Sequence, residues 1–246
     1  MNLSFKRAYY IARKDLKSYY LKPPLISWGL MMPLVFILAF YLRNPQGISE
    51  VSPGLIGLTL LFSTTSMAAI VITFEKRINA LERLLLAPVS MQTIIFGKAV
   101  GSSAFGAVMG AVVLVLSLVF FGLSVSNIVF LFLGIVLSAM VFAFMGLLIS
   151  VAVREVFEAM TLSNFFRFPM MFLCGVFFPF ESLPKILQIV GLFLPLTYCV
   201  DLFRFCLLGQ KSFLNPYLDL AALIAFSLIL FILINITFKR RLRQQY

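Results

Sequence analysis

Few side chains in this sequence could carry out chemistry. The 246 residues include no His and only three Cys, which excludes a histidine-based metal site, a Ser-His-Asp triad and a histidine proton relay. Cys199 and Cys206 are placed so that they would share one helical face, and neither belongs to a CxxC motif. Small buried thiols are therefore a better interpretation of all three cysteines, Cys174 included, than a metal site or a disulfide. We do not expect an enzyme.

The densest cluster of charge lies in Phe74–Ser90, FEKRINALERLLLAPVS, between two long apolar runs. Ile78, Leu81 and Leu85 recur with the spacing of one helical face, so the segment is predicted to form an amphipathic helix. Pro88 then ends it, because proline cannot continue a helix. The polar residues of the segment are Glu75, Lys76, Arg77, Asn79, Glu82 and Arg83. Such a helix is either a salt-bridged connector or a surface that contacts a partner.

Arg167 is a charged side chain inside an apolar run, with Asn164 one helical turn before it. An arginine within a membrane span is a functional-site hypothesis by default. Arg167 could line a transport path and attract an anionic headgroup. It could equally pair with Glu155 or Glu158, and the sequence slightly favours this structural pairing.

A second group of charged residues follows that run. Asp201 and Arg204 are three residues apart, which predicts a local ion pair on a helix. Glu181 and Pro184 mark the entry of this region, which could gate a path or merely plug it. The candidate path or gate residues are therefore Arg167, Asn164, Glu181, Asp201 and Arg204.

The elements that position these residues are predicted to be membrane helices. The chain is 62% hydrophobic and 12% charged, whereas soluble domains have roughly 45–50% apolar and about 25% charged residues. We therefore predict an all-α polytopic membrane protein. A span needs about 20 apolar residues, and the candidate spans are 24–42, 54–74, 99–121, 128–153, 159–180 and 217–238. The pieces 183–195 and 197–209 are short, which favours a re-entrant hairpin on the outer side.

Positive charge sets the predicted orientation. With six spans and both termini in the cytoplasm, all of the 20 Lys and Arg residues lie inside except Arg43, Lys185, Arg204 and Lys211. This distribution follows the positive-inside rule. The net charge of +11 is explained by anionic lipid at the cytoplasmic surface, so no nucleic-acid partner is needed.

Residues 1–22 are predicted to form an amphipathic helix in the membrane surface. One stripe carries Phe5, Tyr9, Ala12, Leu16 and Tyr19, and the basic residues Lys6, Arg13 and Lys17 flank it. Tyrosines at headgroup depth and lysines that reach towards water are typical of such helices.

The glycines and the hydroxyl side chains of the apolar runs could each contact either the same chain or a second copy of it. Gly97, Gly101, Gly106 and Gly110 permit close packing, either within the chain or between two copies. The hydroxyl side chains of 63–66 could face a second copy or bond to their own helix, and the second arrangement is preferred.

Four segments in order carry a resemblance to a known family: SPGLIGLTLLFSTTSM, FEKRINALERLLLAPVS, LCGVFFPFESLP and LFLPLTYCVDLFR. Over essentially its whole length, 1–246, the chain resembles the membrane subunits of type-2 ABC exporters. The resemblance implies one transmembrane domain with six spans, an interfacial helix at 1–22, a cytoplasmic coupling helix at 75–90 and a re-entrant hairpin at 181–210. Relatives often have Gly-Thr where this chain has Asn79-Ala80, which could alter the choice of partner.

The resemblance also implies partners. In this family the coupling helix sits in a groove of a separate ATP-binding subunit, present in two copies. The implied contact residues are Glu75, Lys76, Arg77, Asn79, Leu81, Glu82 and Arg83. No GxxxxGK[ST] motif occurs, so we expect no cofactor in this chain, with ATP and Mg bound by the partner subunit. A homodimer in the plasma membrane of a prokaryote is expected.

The competing hypothesis is an autonomous secondary transporter or channel that needs no ATPase. Proton-coupled carriers usually bury carboxylates in their spans, whereas the acids here lie at ends and loops, except for Asp219 at the outer edge of the last span. Broken helices also occur in secondary carriers, so the short pieces alone do not decide. The sequence does not identify the substrate.

Overall fold

The structure, a computed structural model, describes residues 3–20, 23–43, 47–209 and 213–245. Within these ranges the chain is helical and has no strand, which confirms the predicted all-α class. Its helices are α1 (Leu3–Asp15), α2 (Pro23–Arg43), α3 (Ile48–Arg77), α4 (Ala80–Leu86), α5 (Met91–Phe121), α6 (Ile128–Ala152), α7 (Val156–Leu173), α8 (Lys185–Leu192), α9 (Pro195–Leu208) and α10 (Pro216–Gln245). A π-helical turn, Leu16–Tyr20, extends α1. Residues 1–2, 21–22 and 210 of the predicted interfacial helix and hairpin lie outside the described residues.

Helix α3 forms the centre of the molecule. It packs against α2, α5, α6, α7 and α9, and it is buried along nearly its whole length. Two of its buried hydroxyl groups bond back to the helix: Ser63 donates to the carbonyl oxygen of Thr59, and Thr65 Oγ1 donates to that of Leu61 at 2.5 Å. For these two residues, back-bonding to the helix is the arrangement found, as preferred from the sequence.

Glycines in α5 allow it to approach α3 and α1 closely. A Cβ atom added at Gly106 would lie 1.7 Å from Thr64 Oγ1 of α3, and one at Gly97 would lie 2.9 Å from the carbonyl oxygen of Ala8 in α1. Real Cβ atoms do not approach so near, so larger side chains at these positions would force the helices apart. These two glycines of the predicted small-residue motif therefore pack within the chain.

Four of the described helices are long and apolar enough to cross a membrane: Ile48–Arg77, Met91–Phe121, Ile128–Ala152 and Pro216–Arg240. Helices α8 and α9 meet at 98° and together form either a broken span or a re-entrant loop. Among the described side chains of α2, the apolar segment Leu34–Arg43 is too short to cross a membrane by itself, and α7 carries charged residues. The predicted count of six spans and the re-entrant hairpin therefore stay predictions.

The segment predicted as one helix over 75–90 is divided in two. Helix α3 continues through Arg77, and Asn79 then takes a left-handed conformation with φ of 54°. Asparagine tolerates this conformation better than most residues, so the chain turns here and α4 begins at Ala80. After Pro88, the Ser90 side chain accepts a hydrogen bond from the Thr93 backbone N–H at 3.3 Å and caps α5.

Candidate functional site

The short helix α4 exposes most of the residues predicted to contact a partner. Arg77, Asn79, Glu82 and Arg83 are exposed, and Lys76 is half-buried. Leu81 is buried, at 4% exposure, in an apolar cluster with side chains of α3 and α5. This side chain holds α4 against the two long helices, while Glu82 and Arg83 of α4 are exposed and accessible to another molecule. The Leu85 side chain lies outside the described residues.

Glu75 does not belong to this exposed surface, because it is buried within a group of four charged side chains, of which three are buried. We call Lys14, Asp15, Glu75 and Lys98 the ion cluster. Lys98 Nζ lies 2.5 Å from Glu75 Oε2 and 3.2 Å from Asp15 Oδ2. Lys14 Nζ contacts Glu75 Oε1 and lies 3.3 Å from Asp15 Oδ1. Each cation thus contacts both acids, and the group is electrically balanced.

Burial gives the ion cluster its importance. The side chains of Asp15, Glu75 and Lys98 are fully buried, and that of Lys14 is 41% exposed. Burial raises the pKa of Asp15, and the nearby Lys98 opposes that rise. For Lys14, burial lowers the pKa, but its bond to Glu75 and the charge of Asp15 outweigh this, so the pKa is raised. The cluster joins α1 to the end of α3 and the start of α5.

Sequence reasoning missed the ion cluster because its members are far apart along the chain. Asp15 is the sole acid in residues 1–22, while Glu75 and Lys98 lie near the ends of two neighbouring apolar runs. An isolated acid and an isolated base at adjacent span ends are a signal that they pair. Their inward orientation, however, depends on how the helices pack.

The predicted interfacial helix lies across the same end of the bundle. Ala8, Ile11 and Ala12 of α1 are buried, and α1 packs against α5. Tyr9 is 60% exposed, so the predicted stripe that joined Tyr9 to Ala12 is divided between two faces. Exposed basic residues include Arg13 and Lys17. The side chain of Phe5 lies outside the described residues.

Arg7 links α1 to the segment that follows α4. Its guanidinium Nη1 donates a hydrogen bond to the backbone carbonyl oxygen of Pro88. Together with the ion cluster, this bond attaches α1 to both sides of α4: to the end of α3 before it and to the connection with α5 after it.

The family model described as ABC-2 type transporter matches residues 7–208, which spans α1 through α9. The chain belongs to the ABC-2 type transporter family. It is therefore a multi-pass membrane transport permease.

Individual relatives support this assignment. The permease is 28% identical over 194 residues to "Inner membrane transport permease YadH" of Escherichia coli K12, covering 77% of this chain and 75% of the relative. The same values hold for YadH of Shigella flexneri. It is 36% identical over 74 residues to "Nodulation protein J" of Rhizobium leguminosarum bv. viciae, covering 30% of this chain and 28% of that protein. The permease thus spans less than a third of Nodulation protein J.

Elsewhere in the permease, Arg167 is 4% exposed on the face of α7 that packs against α3. Its Nε donates to Thr65 Oγ1 at 2.5 Å, and Nη1 donates to Asn164 Oδ1 at 3.3 Å. The predicted pairing with Glu155 or Glu158 is wrong, because no ion pair among the described residues includes Arg167. Both acids are exposed at the start of α7, where they form a capping box and lie two or more helical turns from Arg167.

The predicted ion pair between Asp201 and Arg204 is also wrong. The Asp201 carboxylate accepts hydrogen bonds from the backbone N–H groups of Phe213 and Leu214, both at 2.9 Å. Arg204 Nη2 instead donates to the carbonyl oxygens of Gly175, at 2.7 Å, and of residue 178, at 3.3 Å. In both cases backbone groups, and not the other side chain, bind the charge. Asp201 therefore holds the chain at 213–214, and Arg204 holds the chain at 175–178.

Asp201 and Arg204 still share a cavity of about 210 Å³ with Glu181 and Glu50. The cavity lies between the start of α3, the chain after α7 and helix α9. Glu181 is exposed at its rim. Of the five candidate path or gate residues, the structure thus brings Glu181, Asp201 and Arg204 together, and it separately joins Arg167 to Asn164.

Proposed function

We propose that this permease is the membrane-spanning subunit of an ATP-driven exporter. Two copies of the chain form the translocation path, and a separate ATP-binding subunit, also in two copies, docks on α4. ATP and Mg are bound by that partner. ATP binding and hydrolysis there move α4 and switch the dimeric path between inward and outward access.

The observation that carries this proposal is the exposed, charged helix α4 between two long helices of the bundle. Only Ile78 and Asn79 separate α4 from α3, so a displacement of α4 acts directly on the central helix. Glu82 and Arg83 give a partner one acidic and one basic contact. The ion cluster holds the end of α3 to α1 and α5. A force that the partner applies to α4 is therefore passed on to these three helices.

The proposed topology adds α2 and α7 to the four long apolar helices and treats α8 and α9 as a re-entrant hairpin. Both termini are then in the cytoplasm of a prokaryote, on the same side as α4. The positive-inside distribution of Lys and Arg supports this orientation. The relationship to an inner membrane permease supports the placement in the plasma membrane.

Co-purification with the ATP-binding protein encoded beside this chain tests the proposal. We would tag the permease, isolate it from the membrane and measure the associated ATPase. Glu82→Arg should weaken association by about tenfold or more, because the new arginine puts a positive charge where the partner is expected to contact a negative one. The matched control is Glu181→Arg, which makes the same change at an exposed position of the outer cavity and should leave association unchanged.

The autonomous carrier remains the second candidate because of Asp219. This residue is fully buried in the first turn of α10, and its carboxylate oxygens have no hydrogen-bond partner among the described residues. A buried carboxylate without a partner is typical of proton or cation coupling. No association of an ATP-binding subunit with a folded wild-type permease would refute the exporter and favour this carrier.

A further inference from the structure

Arg167 is a buried cation with an unused donor. One edge of its guanidinium donates hydrogen bonds to Thr65 Oγ1 and Asn164 Oδ1, and the group lies 5.2 Å from the centre of the Phe62 ring. Its Nη2 atom is buried and has no hydrogen-bond partner among the described residues. A guanidinium presents five N–H donors in a planar fork, so this arrangement positions the fork and leaves one end open.

Within the part of the chain that the structure describes, the contacts of Arg167 are all with neutral groups. Thr65 supplies a hydroxyl whose proton is directed to the carbonyl oxygen of Leu61, so a lone pair faces the guanidinium. Asn164 supplies an amide oxygen, and Phe62 an aromatic face. These groups orient a positive charge without neutralising it. Burial of an uncompensated charge is costly, and an ionisable residue kept inside a membrane protein at such a cost points to a functional site.

The surroundings of Arg167 favour a ligand with an apolar part. Its neighbours along α7 include Phe165, Phe166 and Phe168, which are 70%, 45% and 47% exposed. Helix α7 packs mainly on α3, with smaller contacts to α6 and α8, and these phenylalanines are on its exposed surface. Pro169 lacks a backbone N–H and so leaves the carbonyl of Phe165 without its helical donor, which weakens α7 next to Arg167.

We propose that Arg167 binds the anionic group, a phosphate or carboxylate, of an amphiphile at the seam between α3 and α7. The guanidinium fork matches the oxygen geometry of both groups, and the apolar part of the amphiphile lies along the phenylalanines of α7. The amphiphile is either a transported molecule or a lipid resident in the permease. Calling it a transported molecule rests on the proposed function, whereas binding of the anion does not.

Thermal unfolding of the purified permease in dodecyl maltoside tests this site, with dodecyl phosphate as the probe. A ligand that binds the folded state raises the melting temperature, and at a given concentration a tighter ligand raises it further. Wild-type permease should be stabilised, and Arg167→Gln should need at least about tenfold more probe for the same shift, because a charged hydrogen-bonding partner is lost. The matched control is Arg154→Gln, which removes an exposed arginine just before α7. This variant should respond to the probe as the wild type does.

Equal responses of wild type, Arg167→Gln and Arg154→Gln would overturn the site, because the probe would then bind other surfaces. If Arg167→Gln yields no folded protein, Arg167→Lys decides. Lysine keeps the charge but lacks the planar fork, so it should need several-fold more probe. An unchanged response of that variant would equally overturn the proposal.

Two further measurements separate the sources of the anion. A resident lipid predicts that native mass spectrometry finds an anionic phospholipid on the wild type and not on Arg167→Gln. A transported molecule predicts no retained lipid, together with an ATPase rate of the assembled complex that dodecyl phosphate raises only when Arg167 is present. The melting experiment uses the permease alone, so failure of the ATP-binding subunit to dock on α4 is distinguishable from failure of the Arg167 site.

Discussion

Lys98 is the residue on which the balance of the ion cluster depends. It contacts both Asp15 and Glu75 from a fully buried position. A buried ion pair adds little net stability relative to apolar residues, but removal of one partner leaves an uncompensated charge. The four charges cancel only as a set, so each residue of the cluster constrains the other three.

We predict that Lys98→Met lowers the free energy of unfolding by about 3–5 kcal/mol, because two buried acids are left with Lys14 alone. The measurement is thermal or denaturant unfolding in detergent. Lys185→Met, which removes an exposed lysine at the start of α8, is the matched control and should leave stability nearly unchanged. Adding Glu75→Gln to Lys98→Met restores the charge balance and should recover part of the loss. Additive losses in the double variant would contradict the cluster.

At the residue scale, sequence reasoning succeeded where the partner is local. The back-bonding of Ser63 and Thr65 is set within four residues of the same helix, and burial of Cys199 and Cys206 follows from their apolar surroundings. Sequence reasoning failed for Glu75 and Asp201, because their partners come from distant parts of the chain. Charge alone predicts that such a residue will find a partner, but only the packing of the helices determines which one.

At the scale of elements, α1 is a docked helix. Its buried face meets α5 at Gly97, and the ion cluster and Arg7 attach its ends to α3 and to the chain after α4. Helix α1 is thus held by both packing and charge to α3 and α5, the two helices that flank α4. We therefore expect α1 to move together with α4.

We predict that Gly97→Leu releases α1 from α5, because even a Cβ atom at this position would lie 2.9 Å from the carbonyl oxygen of Ala8. The measurement is limited digestion with trypsin in detergent, which should cleave at Arg7 and Arg13 several-fold faster in the variant. Ala104→Leu makes a comparable enlargement on an exposed face of α5 and is the control. Equal cleavage of both variants would show that α1 does not depend on this contact.

The element boundaries were partly predictable. Apolar runs located α3, α5, α6 and α10, because their cores are long and uninterrupted. The break between α3 and α4 was not predicted, since Ile78, Leu81 and Leu85 keep the helical spacing through it. The deciding feature is the left-handed backbone at Asn79, and asparagine permits that conformation without requiring it.

At the scale of the whole molecule, helices α8 and α9 determine the topology. Their 98° bend fits either a broken span or a re-entrant loop. A re-entrant hairpin returns the chain to the side on which it entered, so Ser182 and Phe213 lie on one side and α10 ends inside. A broken span places them on opposite sides and carries the basic end of α10 outside. The positive-inside rule therefore favours the hairpin.

We predict that Ser182→Cys and Phe213→Cys are both labelled by a membrane-impermeant maleimide on intact cells. Ser182 is exposed and Phe213 is 39% exposed, so both introduced thiols should react. The native Cys174, Cys199 and Cys206 are buried, and the unmodified permease supplies the background. Glu82→Cys on α4 is the opposite-side control and should react only after the cells are permeabilised. Labelling of Ser182→Cys without Phe213→Cys would instead identify α8 and α9 as one broken span, and the cytoplasmic position of the last helix end would be lost with the hairpin.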